Sequence, residues 1–275
     1  MNEIFGEWIN NLDNLSFKYK NAKPYPHIII PNFLNKTFID SIFDEYPNDF
    51  TNWHIYNNPL EVKYAYDDIS LSGNNIQKLF QIYSEPDVIE LFNKLTDNNN
   101  LQHDPVLHGS GLHVMPKYGR LSVHLDYEKH PILENKQRKL NVILYLNKEW
   151  KPEWNGSTEL WNDDCSECVV ESKVMYNSAI IFNTNNNSWH GVSKKINCPI
   201  YENRKTIAYY YVSELLNKPD TNKVGNDGSG YRTKATYINK TPHSEIDHFI
   251  KIRPFRRINE EDLKNIWPEW NKFFY

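Results

Sequence analysis

The chain has 275 residues, a net charge of −4 and 39% hydrophobic residues, enough to bury a sizeable core as one domain or two. The modest charge argues against nucleic acid or an anionic membrane as a partner, and no segment approaches the ~20 apolar residues of a membrane span. The cysteines Cys165, Cys168 and Cys198 are too few for a disulfide framework; with no signal-peptide stretch at the N-terminus, they place the protein in the cytoplasm.

Ile4, Phe5, Trp8, Ile9, Leu12 and Leu15 recur at helical spacing and predict an amphipathic N-terminal helix, broken at Pro24-Tyr25-Pro26. His27-Ile28-Ile29-Ile30 reads as a short buried strand. Asn35 is the expected N-cap of a helix carrying Phe38, Ile39, Ile42 and Phe43. Ser84-Glu85-Pro86 opens another, with Val88, Ile89, Leu91, Phe92 and Leu95 inward. From about Pro105 the period becomes two. Strands are predicted at 105–115, 119–126, 139–147, 157–161, 167–175, 178–183, 190–194 and 204–213, which suggests a two-sheet jelly-roll. A polar stretch, Lys218 to Tyr231, reads as a loop, and a last helix begins near Asn259 with Glu260, Glu261 and Asp262 in its first turn. The fold class expected is α+β, with 1–104 as an N-terminal helical support region, 105–215 as the jelly-roll core and 216–275 as a C-terminal loop and helix packed on the same domain.

Within the strand region stands His124-Leu125-Asp126. Residues i and i+2 of a strand share a face, so both side chains aim at one point. His190, in Asn187-Ser188-Trp189-His190-Gly191-Val192, lies far enough along the chain to arrive from another strand. Two histidines and a carboxylate can hold one face of an octahedral Fe(II) and leave the other positions open. On the strand 204–213, Arg204, Thr206, Ala208 and Tyr210 share one face, and Lys205, Ile207, Tyr209 and Tyr211 share the other. The second face suits packing under helices. The first suits an anionic ligand, because a guanidinium can hold a carboxylate by two parallel hydrogen bonds; Lys205 is the fallback. His103, His108 and His113 fall five apart, alternate faces and read as structural. Cys165-Ser166-Glu167-Cys168 has zinc-knuckle spacing but no second pair, and reads as a loop.

The order of these features, with Tyr145-Leu146-Asn147 and Trp150 followed by Asn155-Gly156-Ser157-Thr158-Glu159-Leu160, resembles the 2-oxoglutarate/Fe(II)-dependent oxygenases, in particular the prolyl-hydroxylase-like branch. The resemblance spans roughly 112–213. Phe182-Asn183-Thr184 and Cys198-Pro199 resemble a bacterial and viral subgroup of that branch. It implies a double-stranded β-helix with His124, Asp126 and His190 as metal ligands. Arg204 would hold the distal carboxylate of 2-oxoglutarate with Thr206 assisting, and Tyr145 would hydrogen-bond it. Arg138 matches an arginine that begins the same strand in the family, without an assigned role. Asn155-Gly156 stands where two glycines are usual, and Asn tolerates the positive-φ conformation better than most residues. Tyr127 and Trp161 are candidate pocket walls.

The cofactors implied are Fe(II), with 2-oxoglutarate and O2 as co-substrates and ascorbate as a candidate reductant. The reaction implied is hydroxylation of an unactivated C–H in a prolyl or other peptidyl residue, or alternatively in a free amino acid, glycan or natural product. Neither nucleic acid nor membrane is expected as a partner. A zinc hydrolase on the same ligands would have no need of a fixed dicarboxylate clamp. A non-catalytic jelly-roll binding module would tend to lose one of the ligands or the basic residue.

Overall fold

The computed structural model describes residues 1–215 and 230–274. Its thirteen strands are β1 (His27–Ile30), β2 (His54–Asn58), β3 (Glu61–Tyr66), β4 (Gln102–His103), β5 (Gly111–Met115), β6 (Arg120–Leu125), β7 (Lys136–Tyr145), β8 (Thr158–Trp161), β9 (Cys168–Ser172), β10 (Ala179–Asn183), β11 (His190–Val192), β12 (Arg204–Glu214) and β13 (Thr236–Tyr237). They form one antiparallel sheet that curls in the order β1-β10-β7-β12-β5-β3-β6-β11-β8-β9 into a nearly closed jelly-roll, with β2 on β3, β4 on β12 and β13 on β6. The helices among the described residues are α1 (Leu12–Asn21), α2 (Lys36–Asp44), α3 (Asn74–Ser84), α4 (Pro86–Thr96), α5 (Glu245–Ile252), α6 (Glu260–Ile266) and α7 (Trp270–Phe274).

Strand alternation builds the main core. Leu140, Val142 and Leu144 of β7 and Ile207, Tyr209 and Tyr211 of β12 point away from the barrel axis, under Ile39, Ile42, Leu79, Leu91 and Phe92 of the helices. Tyr209 packs on Phe80 and Tyr83, and the Tyr211 hydroxyl donates to the Tyr83 carbonyl oxygen at 2.9 Å. Each fully buried large apolar side chain contributes about 1.5–3 kcal/mol, so this layer fixes which face of β7 and β12 is left for the interior. The cap expected at Asn35 is present, and the last helix, expected to begin near Asn259, carries a cap of its own. The Asn35 side chain accepts from Thr37 N–H at 3.0 Å at the start of α2. Asn259 and Asp262 form a reciprocal capping box on α6.

Three expectations need correction. The N-terminal helix begins not at Ile4 but as a 3-10 turn, Glu7–Asn11, leading into α1. Phe5 instead bridges to Leu34, with its ring against Trp8 and Phe33, and that pairing takes its backbone out of a helix. The strand expected from 105 starts only at Gly111. The Asp104 carboxylate accepts from Val106 and His108 N–H and closes a turn, with Leu107 at positive φ. Residues 1–104 are not only helical, since β1 to β4 join the sheet and β3 sits between β5 and β6. The loop expected at Lys218 to Tyr231 lies outside the described residues except for its last two positions.

Candidate metal centre and anion pocket

A cavity of about 260 Å³ opens at the barrel mouth, and its floor carries His124, Asp126 and His190. The strand β6 places His124 and Asp126 on one side, as i and i+2 spacing requires. His190 is the cross-strand partner of His124, and the register then shifts, so that Val192 faces Leu121. A bulge of this kind re-aims side chains next to a site. At Gly191 a Cβ would come within 2.9 Å of the Leu121 carbonyl oxygen, so the tight crossing needs glycine. The His124 and His190 rings stand 4.4 Å apart, and ligand atoms of the three residues all lie within 4.8 Å of one another.

The groups behind the triad set its state. His124 Nδ1 lies 2.9 Å from the Ser122 carbonyl oxygen, and His190 Nδ1 lies 2.8 Å from that of Ser188. A carbonyl only accepts, so both Nδ1 atoms carry the proton and both Nε2 atoms are left to face inward. Burial pushes the His190 imidazole down to about 4, which keeps it neutral and able to coordinate. Asp126 receives Arg138 Nη1 at 2.9 Å and Asn141 Nδ2 at 2.8 Å. Burial opposes its ionisation, but the Arg138 charge outweighs it and holds the carboxyl well below the usual range. Arg138 is itself sandwiched between the Tyr127 and Tyr210 rings, at 4.2 and 3.6 Å. Two imidazoles with Nε2 turned to one point and one fixed carboxylate are a donor set that suits Fe(II).

Arg204 lines the other end of the cavity, 3% exposed. Its Nε donates to the Gly156 carbonyl oxygen at 2.6 Å and Nη2 to Thr158 Oγ1 at 3.0 Å. The turn that supplies Gly156 has both Asn155 and Gly156 at positive φ, 59° and 91°. Among the described residues no carboxylate pairs with this guanidinium, and burial pushes its pKa below the ordinary value. A buried cation without a counter-ion is costly, and an anion in the cavity would relieve that cost. Thr206 lies beside it on the same face of β12 and also lines the cavity, whereas Lys205 points to the outside and donates to Asn48 Oδ1 at 3.0 Å. Tyr145 is fully buried and does not line the cavity. Its Oη lies 2.7 Å from Thr158 Oγ1 and 3.1 Å from the Ser172 carbonyl oxygen, one layer behind Thr158 and Arg204.

Tyr127 is at the wall, but Trp161 is not, since its Nε1 donates to Glu159 Oε2 at 3.1 Å instead. His108 and His113, read as structural, both line the cavity. Burial lowers them to about 4 and about 3, helped for His113 by the charges of Lys63 and Arg204. The sequence reading also missed Thr158, Asn141, and Glu61 and Lys63 on β3. The alternation of Val62, Tyr64 and Tyr66 with charged or small residues was the signal for that strand. Tyr237 was missed as well. It pairs with His124 across β13 and β6, and its ring stacks on the His124 ring at 5.2 Å.

Residues 110–212 match the model of the 2OG-Fe(II) oxygenase superfamily. No curated protein matches the sequence. Among solved structures, a Pseudomonas putida prolyl-4-hydroxylase superposes with a TM-score of 0.54 at 12% identity, covering 72% of this chain and 97% of that one. A Trichoplax adhaerens prolyl hydroxylase in complex with a hypoxia inducible factor peptide fragment gives 0.52 at 16% identity, covering 74% and 90%. The non-heme alpha ketoglutarate dependent epimerase SnoN of nogalamycin biosynthesis gives 0.50 at 10%, covering 74% and 84%. At these identities the superpositions speak for the fold.

Proposed function

We propose that this chain, a 2OG-Fe(II) oxygenase by its 110–212 core, hydroxylates an unactivated C–H of a peptidyl residue, prolyl foremost, with His124, Asp126 and His190 as the iron ligands. The observation that carries the site assignment is the pairing of two features in one cavity: a convergent two-histidine, one-carboxylate set, and a buried guanidinium with no carboxylate partner among the described residues. With Fe(II), 2-oxoglutarate and O2 bound, the chemistry supplied is oxidative decarboxylation, in which one oxygen atom enters the substrate C–H and the other enters succinate.

The chain's own residues do the rest. Arg204 and Thr206 hold the distal carboxylate, and Tyr145 braces the clamp through Thr158. Arg138 and Asn141 hold Asp126 ionised and oriented. Tyr237, His113 and Tyr127 narrow the space around the triad and exclude water. The peptidyl reading draws support from the prolyl hydroxylase folds among the neighbours, one of them holding a peptide, and from a cavity that opens at the barrel mouth. A small-molecule substrate is the second reading, favoured by the like fold of the nogalamycin epimerase. Among the described residues no helix is long and apolar enough to cross a membrane, and the three cysteines are free; we place the reaction in the cytoplasm, in keeping with reduced thiols.

A lysate incubated with the protein, Fe(II) and 2-oxoglutarate should yield peptides heavier by one oxygen, read by mass spectrometry. Hydroxylation of a free amino acid or sugar nucleotide, with no modified peptide, would overturn the peptidyl reading and leave the oxygenase standing. A second expectation concerns Arg138. Groups that orient a metal ligand are worth about 10–100-fold in metal affinity or activity, so Arg138→Met should raise the Fe(II) concentration for half-maximal succinate formation by about that factor. If it serves only to fill the space between Tyr127 and Tyr210, thermal stability will fall and the Fe(II) requirement will stay where it was.

A further inference from the structure

We propose that the cavity mouth is a subsite for an acidic group of a peptide substrate, held by Lys63, Arg253, Arg257 and Lys234. This rests on the oxygenase reading of the same cavity and names the substrate class that reading leaves open. All four cations line the cavity, and they come from separate parts of the chain. β3 turns Glu61, Lys63 and Ala65 inward and Val62, Tyr64 and Tyr66 the other way. Arg253 caps the C-terminal end of α5, and Arg257 lies four residues on. Lys234 precedes β13, the strand that pairs with β6 beside the triad.

The charges here do not cancel. Glu61 is the buried carboxylate of the patch, 1% exposed, and two cations share it: Arg253 Nε at 3.1 Å and Lys63 Nζ at 3.3 Å. Burial pushes its carboxyl up, but the charges of Lys63 and Arg253 overcome this and hold it ionised. Arg257 stands over the Tyr56 ring at 5.2 Å, and Lys234 donates to the Phe255 carbonyl oxygen at 2.6 Å. Neither has a carboxylate partner among the described residues. Asp126, deeper in the cavity, is committed to Arg138, and Asp67 at the mouth lies 3.3 Å from His54 Nε2. Four cations thus face two carboxylates, Glu61 and Asp67, and a positive excess remains. A cleft with an excess of one sign and low-dielectric walls concentrates the opposite charge, and a guanidinium suits a carboxylate or a phosphate.

The position of the patch sets the spacing in the substrate. Arg253 is one ring removed from the triad, because Tyr237 stacks on His124 and lies 5.9 Å from the Arg253 guanidinium carbon. At about 3.3–3.6 Å of extended chain per residue, the acidic group falls within about three residues of the one hydroxylated. The C-terminal segment, whose part in the protein the sequence leaves open, thereby becomes the specificity wall of the site.

The test uses the full chain with Fe(II) and 2-oxoglutarate, first without oxygen. Ten-residue peptides with every amino acid at the centre are offered in three sets, flanked within three residues by Glu, by Gln or by phosphoserine. Retained peptides are identified by mass spectrometry. At least ten-fold retention of a charged set over the Gln set is expected, and the better of the two charged sets distinguishes carboxylate from phosphate. Arg257→Ala with Lys234→Ala should abolish the preference, and Arg257→Glu should shift retention toward Lys-flanked peptides. Thermal melting checks that these exposed or half-buried positions leave the fold intact. Equal retention of all sets, or a preference that the double variant keeps, would overturn the subsite. Air is then admitted. Absence of succinate at that stage, with or without peptide, counts against the oxygenase reading and leaves the retention result as it stands.

Discussion

His190→Ala is expected to bring succinate formation from 2-oxoglutarate down to the protein-free rate with only a modest loss of thermal stability, whereas Asp126→Ala should lose both. The contrast comes from what each side chain leaves behind. His190 is buried and neutral, its Nδ1 satisfied by a backbone carbonyl and its ring against Phe182, so its removal costs packing and a ligand. Asp126 is the partner of Arg138, which is 6% exposed. Without it a guanidinium stays buried with no counter-ion, and breaking such a pair costs about 3–5 kcal/mol. At roughly 2–4 °C per kcal/mol for a domain of this size, the melting temperature should fall by about 6–20 °C. A chelator should reproduce the His190→Ala activity in the wild-type protein, and added Fe(II) should restore the wild type alone. Retention of more than about a tenth of the turnover by His190→Ala would mean that the metal is held elsewhere.

The features that sequence made legible are those governed by a local period. Alternation on β12 sorted Thr206 and Arg204 from Ile207, Tyr209 and Tyr211, and the structure keeps that sorting because the helices supply an apolar layer for one face only. The i, i+2 rule aimed His124 and Asp126 at one side. Chain order could not say that His190 would be the cross-strand neighbour of His124, because a one-residue bulge decides it. The pairing of Tyr237 with His124 left no trace either. β13 is two residues long and follows a stretch with no apolar period. The alternation around Val62 and Tyr64 was a signal for β3 that the predicted strands did not include, and its place between β5 and β6 left no trace, since a six-residue segment carries no mark of the strands that receive it. Phe5 shows the reverse failure. Helical spacing was present, and tertiary pairing with Leu34 overrode it.

Arg204→Ala should raise the 2-oxoglutarate concentration for half-maximal turnover by about 30-fold or more, and Lys205→Ala should leave it nearly unchanged. Truncating one partner of a buried, hydrogen-bonded charge pair costs about 2–5 kcal/mol, and every 1.4 kcal/mol is a factor of ten. Arg204 meets the conditions for such a pair. It is buried, it faces the cavity, and Gly156 and Thr158 fix its plane by two hydrogen bonds, so little freedom is lost when an anion arrives. Lys205 is one residue away but on the opposite face, with its ammonium on Asn48 near the surface, where a single contact is worth at most about 1 kcal/mol. Arg204→Lys separates charge from geometry. A lysine keeps the cation but lacks the planar fork and cannot make both fixing bonds, so it should recover part of the loss and not all of it. Thr158→Val should fall between, because it removes the oxygen that meets both Arg204 Nη2 and Tyr145 Oη while keeping the volume. Steady-state succinate assays at saturating Fe(II) measure all four variants. A larger effect from Lys205→Ala than from Arg204→Ala would place the dicarboxylate on the other face of β12 and would move Thr206 out of the clamp with it.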